Sequence, residues 1–110
     1  MINYRFGDIV LVGFPQPNSE EKKKRPALVI LDIGDDDLIL APVTSIKKSG
    51  SGDISIKNWA YAKLLKESWA RLAKVACLSK AAILKRIGEL NEQDRKNISK
   101  KWKDLYILSV

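Results

Sequence analysis

Runs of apolar residues separated by short polar segments dominate the first half of the chain. Residues 9–14 are continuously apolar apart from Gly13, and residues 27–31 and 38–43 repeat that pattern. Continuous apolar runs of this length, bounded by turn residues, are typical of strands that are buried on both faces. The linkers between the runs are too short for helical crossovers, so the sequence predicts an antiparallel sheet.

The second half of the chain predicts shorter strands and one helix. Residues 53–56 alternate polar and apolar positions, and we predict further strands at residues 68–76 and 83–87. Asn91 is suited to be the N-cap of a final helix, with Asp94 near its positive dipole end. The apolar stripe of this helix consists of Ile98, Trp102 and Leu105.

Many short strands followed by one terminal helix predict a small, strongly curved antiparallel sheet or partial barrel. Because the first strands are apolar on both faces, we expect closure rather than an open one-sided sheet. Residues 59–65 fit either a loop or a turn of helix. With 110 residues, the chain has the length of a single domain spanning residues 1–110.

Composition excludes several classes of protein. No apolar run approaches the roughly 18 residues of a membrane span, and the first residues lack a signal-peptide core, so we expect a cytoplasmic protein without membrane contact. Cys77 is the sole cysteine, which rules out a disulfide within the chain. The absence of histidine removes the commonest general base and disfavours a metal site built from this chain alone.

The chain carries a formal charge of +7, from 20 Lys plus Arg against 13 Asp plus Glu. Such a balance favours polyanionic partners through electrostatic attraction and counterion release, although many small proteins are basic. The charges are unevenly distributed: lysines gather at residues 22–24, 47–48 and 96–103, whereas residues 35–37 form an acidic turn.

Arg25 and Thr44 are the first candidates for chemistry. Arg25 ends a lysine run just before an apolar strand, where its planar fork could hold a phosphate bidentately. Thr44 and Ser45 end the third strand and could donate to a phosphate oxygen. The simpler alternatives are a solvated arginine at a strand end and hydroxyls that bond the adjacent backbone.

Arg71 and Trp59 are candidates with equally simple alternatives. Arg71 interrupts an apolar stretch and would supply a second guanidinium, or else a structural salt bridge, for instance with Glu67. Trp59 is the best placed of the three tryptophans to stack on a base, whereas Trp102 belongs to the helix stripe.

The chain resembles the MazF/PemK toxin family of bacterial toxin–antitoxin systems through an ordered set of motifs: GDIVLVGFP, KKKRPALVI and LILAPVTS. The C-terminal half continues the resemblance with LLKESWARLAKVACLSKAAILKRIGELNEQD. The family implies a small SH3-like antiparallel barrel with a C-terminal helix, a homodimer, and a cofactor- and metal-independent endoribonuclease. Such enzymes cleave single-stranded RNA to 2′,3′-cyclic phosphate and 5′-hydroxyl ends. An acidic antitoxin inhibits them, and DNA is contacted only through the toxin–antitoxin complex.

The resemblance assigns roles to individual residues. It implies that Arg25, Thr44 and Arg71 are catalytic. Beside them we expect an RNA-binding set that comprises Lys22, Lys23, Lys24, Ser45, Lys47 and Trp59. Two departures from the family matter: Ala73 stands where some members carry an acidic general base, and the histidine of the first loop in some members is missing.

These observations favour a sequence-preferring mRNA interferase whose base for the 2′-hydroxyl is not identified. We expect residues 18–24 and 47–52 to gate the groove, and the missing histidine predicts a flat activity profile at mildly acidic pH. The departures leave two alternatives. One is a non-catalytic binder of a protein target such as DNA gyrase, and the other is an inactive relative that binds RNA or antitoxin.

Overall fold

The computed structural model describes residues 3–15, 22–47 and 50–107, which contain seven strands and one α-helix. The strands are β1 (Asp8–Pro15), β2 (Lys22–Leu31), β3 (Asp37–Thr44), β4 (Asp53–Ile56), β5 (Ser68–Arg71), β6 (Ala76–Ser79) and β7 (Ile83–Glu89). Helix α1 spans Glu92–Tyr106, and short 3-10 turns lie at Leu72–Lys74 and Lys80–Ala82. The terminal helix and the predicted strands are present, except that the strand predicted over residues 68–76 is divided.

The sheet runs in the order β4–β5–β3–β2–β1–β7, with β6 paired to β3 beside β5. Every pairing is antiparallel, which confirms the predicted class. The register between β1 and β7 shifts twice, after Ile9 and after Leu11, and such irregularities increase the twist of a sheet. Within the described residues the end strands β4 and β7 do not pair, so the sheet is curved but open, and the predicted closure is wrong.

Strand β2 begins earlier than the sequence indicated. We predicted a loop up to residue 24, but Lys22–Leu31 is continuous strand, with Lys24 opposite Gly13 and Arg25 opposite Val12. The reason is the length of β1. Its residues 13–15 pair with residues 22–24 of β2, which precede the apolar part of that strand. Of the two segments predicted to gate the groove, residues 18–21 and 48–49 lie outside the described part of the chain.

The strand predicted over residues 68–76 is interrupted. Strand β5 pairs with Val43 and Thr44 of β3, and β6 pairs further along the same edge with Asp37–Leu40. Residues 71–75 therefore lie beside only two residues of β3, Ala41 and Pro42. The 3-10 turn Leu72–Lys74 accommodates the extra residues. Its Leu72 is buried and donates its N–H to the Gly52 carbonyl at 2.9 Å.

Both faces of the sheet are buried along the apolar parts of β1, β2 and β3, as the continuous apolar runs indicated. Because successive side chains of a strand point to opposite faces, Ile9 and Val10 belong to two different clusters. The first cluster lies under α1 and includes Leu28, Ile56, Leu72, Leu90 and Ile98. The second cluster is formed by Val10, Val12, Ala27, Val29, Leu38 and Leu40.

Helix α1 begins as the sequence indicated. The Asn91 side chain accepts a hydrogen bond from the Asp94 N–H at 2.9 Å, which confirms the predicted N-cap. Ile98 is fully buried, and Trp102 and Leu105 pack against the first cluster. In the part of the chain that the structure covers, no helix has the length and apolar character that crossing a bilayer requires.

Candidate functional site

A cleft of about 530 Å³ opens where β2 begins and β3 ends. Its cationic lining consists of Lys23, Lys24, Arg25, Lys63, Lys66 and Lys85. Hydroxyl groups come from Thr44, Ser45 and Ser68. The apolar lining is Leu11, Pro26, Val43, Ile46, Leu64, Leu65 and Ile87. The cleft thus combines apolar surface with six positively charged side chains.

Arg25 and Thr44 line this cleft together, on neighbouring strands. Ala27 of β2 pairs with Pro42 of β3, and continuing that register by two residues places Arg25 opposite Thr44. Arg25 is solvent-exposed and Thr44 is half-buried, so the guanidinium is accessible and the hydroxyl is held in the wall. The two residues predicted at the ends of separate strands therefore meet at one place.

The Thr44 hydroxyl is held by a local turn. Its Oγ1 accepts the Ile46 N–H at 3.1 Å and lies 3.4 Å from the Ile46 carbonyl oxygen. This is the backbone contact that we considered as the simpler alternative. A hydroxyl has one proton and two lone pairs, and a 3.4 Å contact is weak, so the proton can still be donated to a ligand.

Arg71 does not line the cleft with Arg25 and Thr44. Its Nε lies 3.3 Å from Asp53 Oδ1 across the β4–β5 pair, and the Arg71 and Asp53 side chains are 28% and 6% exposed. The second carboxylate oxygen, Oδ2 of Asp53, is buried and has no hydrogen-bond partner among the residues that the structure describes. The salt-bridge partner is therefore Asp53, and not the Glu67 that the sequence suggested.

The other RNA-binding candidates divide into two groups. Lys23, Lys24 and Ser45 line the cleft. Lys47 is exposed but lies outside the lining, and Trp59 is half-buried against the first core cluster. Lys22 begins β2, with its side chain outside the described part of the structure.

Sequence reasoning missed half of the cationic lining. Lys63 lies in the segment 59–65 that the sequence left ambiguous, Lys66 follows directly after it, and Lys85 lies on β7 opposite Leu11 of β1. Lys85 lies two residues before Ile87 in the strand predicted over residues 83–87, and this spacing, which puts both side chains on one face, was the one available signal for Lys85. Nothing in the spacing of Lys63 and Lys66 indicated that their segment folds back toward β2 and β3.

Ala73, which replaces the acidic residue of some relatives, is exposed and packs beside Gly52. A Cβ built on Gly52 would lie 2.4 Å from the Ala73 Cβ, so the two backbones approach as closely as glycine permits. Ala73 is not part of the cleft lining.

All the charged side chains of the described lining are cationic. It contains six Lys and Arg side chains and no carboxylate, and none of the six forms an ion pair with an acidic residue in the described ranges. Concentrated like charge in a concave surface raises the local concentration of anionic ligands. The cleft is therefore suited to a polyanion that also offers apolar surface.

The sequence matches the family described as PemK-like, MazF-like toxin of type II toxin-antitoxin system over residues 5–105. No curated protein matches the chain significantly. Among solved structures, it is similar to the Mycobacterium tuberculosis toxin MazF-mt6, with 13% identity, a TM-score of 0.73, and coverage of 91% of this chain and 96% of that one.

Two further similar structures contain a second protein. MazE-MazF from Deinococcus radiodurans is 17% identical, with a TM-score of 0.74 and coverage of 94% of this chain and 96% of that one. A mycobacterial endoribonuclease in complex with its cognate antitoxin is 11% identical, with a TM-score of 0.72 and 94% coverage of both chains. At such low identity these similarities show a shared fold. The match over residues 5–105 shows that the chain belongs to the MazF/PemK family, the toxins of type II toxin–antitoxin systems.

Proposed function

We propose that this toxin is an endoribonuclease that cleaves single-stranded RNA in the cleft containing Arg25 and Thr44. The observation that carries the proposal is that a guanidinium and a hydroxyl from adjacent strands line one cationic cleft. RNA matches that cleft because it offers phosphates to the cations and base surface to the apolar lining. An mRNA target places the action of the toxin in the cytoplasm.

The proposed reaction is a transesterification. The 2′-oxygen attacks the adjacent phosphorus, the new O2′–P bond forms, and the P–O5′ bond breaks, which leaves a 2′,3′-cyclic phosphate and a 5′-hydroxyl. Arg25 holds two non-bridging oxygens with parallel N–H donors, and Thr44 donates its hydroxyl proton to one of them. These donors stabilise the charge that develops on the five-coordinate phosphorus.

Two protons must move in this reaction. The described lining offers no carboxylate and the chain has no histidine, while arginine is a poor proton acceptor because its guanidinium stays protonated in proteins. We therefore assign the 2′-hydroxyl proton to a water molecule, and the departing 5′-oxygen takes a proton from solvent. Cleavage without a positioned base is slower by the roughly 100-fold to 10,000-fold that general base catalysis contributes.

We assign Arg71 to the same reaction as a second guanidinium. Trp69 pairs with Thr44, and Arg71 lies two residues further along β5, so Arg71 and Thr44 belong to the same face of the sheet. Asp53 binds only Nε, which leaves the terminal N–H groups of the guanidinium available to a phosphate. In this proposal Asp53 orients Arg71 toward RNA that extends from the cleft.

The proposed partners follow from the family and the charge. We propose a homodimer that is inhibited by an acidic antitoxin, with DNA contacted only through that complex. Two similar structures contain an antitoxin or MazE beside the toxin. An acidic segment would compete with RNA for the cations of the cleft.

The test is cleavage of a fluorescence-quenched RNA oligonucleotide library in EDTA by the purified, antitoxin-free protein. We expect wild type to cleave, Arg25→Ala to be slower by about 100-fold to 1000-fold, and new ends to carry a 5′-hydroxyl that polynucleotide kinase can label. Arg5→Ala is the matched control, since Arg5 is an exposed arginine outside the cleft lining.

Two outcomes contradict the proposal. If wild type cleaves no member of the library, the non-catalytic alternative, which the lack of a carboxylate in the described lining favours, replaces it. If Arg25→Ala and wild type cleave equally, the activity belongs to another site or to a contaminant.

A further inference from the structure

We propose that Lys63 binds an RNA phosphate in the cleft, at a position flanking the phosphate that Arg25 and Thr44 hold. The inference rests on the proposed RNA substrate and adds a contact that neither the sequence nor the family match assigns. Lys63 lies in the β4–β5 connection, residues 57–67. This connection forms a second wall of the cleft, to which it contributes Lys63, Leu64, Leu65 and Lys66.

The backbone at Lys63 is in a conformation that lysine rarely adopts. Its φ is 69°, and among the described residues Lys63 is the only non-glycine residue with a positive φ. A left-handed conformation is unfavourable for any residue with a Cβ, and such residues concentrate at functional sites. A glycine or asparagine would fit this turn better, so the presence of lysine needs a reason other than local stability.

Backbone hydrogen bonds fix the turn around Lys63. The Lys63 N–H donates to the Ala60 carbonyl at 3.1 Å, and the Leu64 N–H donates to the Trp59 carbonyl at 3.0 Å. These hydrogen bonds determine the backbone conformation of Lys63 and therefore fix its position in the wall of the cleft.

The turn is also seated directly on β7. A Cβ built on Gly88 would lie 2.4 Å from the Ala62 carbonyl oxygen and 2.9 Å from Cγ of Lys63. Ala62 itself is fully buried. Only glycine at position 88 permits this approach, which brings the second wall against the sheet.

Charge explains what Lys63 can bind. It is exposed, it forms no ion pair in the described ranges, and the lining around it contains no carboxylate. Elsewhere several cations are paired, such as Arg86 with Asp8 and Arg95 with Glu89. An unpaired lysine at the rim of an arginine-containing cleft is suited to the phosphate next to the one that the arginine holds.

The test measures binding apart from cleavage. The probe is a fluorescent oligonucleotide with 2′-O-methyl groups throughout, which cannot undergo attack by the 2′-oxygen. Its Kd is measured against salt concentration for wild type, Lys63→Met and Lys57→Met. Lys57 is the matched control because it is an exposed lysine of the same connection that does not line the cleft.

We expect Lys63→Met to bind about tenfold more weakly at low salt. The slope of log K against log salt should shrink by about 0.7, the value for one lost phosphate contact on a single strand. Lys57→Met should change both quantities much less. A second pair of variants controls for structure: Lys63→Gly should keep or raise Tm while losing the same affinity, whereas Lys57→Gly should lower Tm by a few degrees.

The outcomes separate this inference from the proposed function. If wild type cleaves RNA but Lys63→Met and Lys57→Met have the same affinity and slope, the assignment of Lys63 is wrong and the endoribonuclease proposal stands. If wild type cleaves nothing but Lys63→Met alone loses affinity, Lys63 is still an RNA contact and the enzyme proposal fails. If wild type does not bind the probe, both fail.

Discussion

Asp94, in the first turn of α1, accepts a hydrogen bond from the Asn58 N–H at 2.8 Å. Its other carboxylate oxygen accepts the Lys57 N–H at 3.2 Å, and the Asp94 residue is 1% exposed. The start of the helix thus holds the start of the β4–β5 connection, which carries Lys63 into the cleft. Asp94 does not line the cleft, yet through these two hydrogen bonds it determines the position of one wall of the cleft.

Asp94→Ala should therefore weaken both the fold and the cleft. The substitution leaves two partly buried N–H groups without an acceptor, and we expect a loss of about 2–4 kcal/mol in the free energy of unfolding. Urea denaturation measures it, with Asp104→Ala, an exposed aspartate of the same helix, as the control. Equal stability of the two variants would show that Asp94 does not anchor the connection.

Asp32 predicts a specific dependence of stability on pH. Burial alone would raise the pKa of Asp32, but hydrogen bonds from the Tyr4 and Gly34 N–H groups and from Lys80 hold it below its ordinary value of 3.8. Lys80 Nζ lies 3.0 Å from Asp32 Oδ1. A lowered pKa in the folded state gives a stabilisation that is complete above about pH 4 and is lost as the pH falls through the folded value.

Asp32→Asn should accordingly be less stable than wild type by about 1–3 kcal/mol at pH 7, and this difference should shrink below pH 4. Chemical denaturation at a series of pH values measures the difference. Asp36→Asn, in the adjacent exposed turn, should show no such convergence. A constant difference from pH 7 to pH 3 would contradict the assignment.

Arg71 and Asp53 allow the structural and catalytic roles of Arg71 to be separated. Arg71→Ala leaves a buried carboxylate unpaired, and we expect a loss of about 1–3 kcal/mol, reduced because Arg71 is partly exposed. Arg71→Ala/Asp53→Ala should recover most of that stability. If Arg71 acts on RNA, the double variant remains about 100-fold slow in cleavage, and recovery of activity together with stability would make Arg71 purely structural.

The pH dependence of cleavage tests the absence of a titrating base. With no carboxylate in the described lining and no histidine in the chain, we expect a flat profile of the single-turnover rate, with no titration midpoint, between about pH 5 and pH 7. The measurement uses buffers of constant ionic strength, because salt alone weakens RNA binding. A limb with a midpoint near pH 5 or pH 6 would reveal a carboxylate that acts as the base.

The fold was largely predictable because its signals are local. The apolar runs around Val10, Val29 and Leu40 indicated strands buried on both faces, and the Asn91 cap marked the helix. The open edge of the sheet was not predictable from the apolar runs. Helix α1 covers one face and residues such as Tyr4 and Leu78 cover the other, so both faces are buried without closure of the sheet. The predicted strand is interrupted after Arg71 because β5 and β6 pair with different parts of the same edge of β3. Local residue propensity does not encode such pairing.

The cleft was predictable only in part. Thr44 ends β3 and Arg25 lies near the start of β2, where the antiparallel register brings the two together, so their meeting followed from topology. Lys63 depends on a tertiary contact between Ala62 and Gly88, which are 26 positions apart and share no sequence pattern. The Arg71–Asp53 pair likewise depends on the register of β4 against β5.

The central claim is that Arg25 and Thr44 hold one phosphate, and a crystal structure with uncleavable RNA tests it most directly. The ligand is the best-cleaved oligonucleotide of the library with a 2′-deoxy nucleotide at the cleaved position. We expect one phosphate within about 3.2 Å of both the Arg25 guanidinium and Thr44 Oγ1. A complex in which the two residues contact different phosphates, or in which RNA lies outside the cleft, would contradict the account.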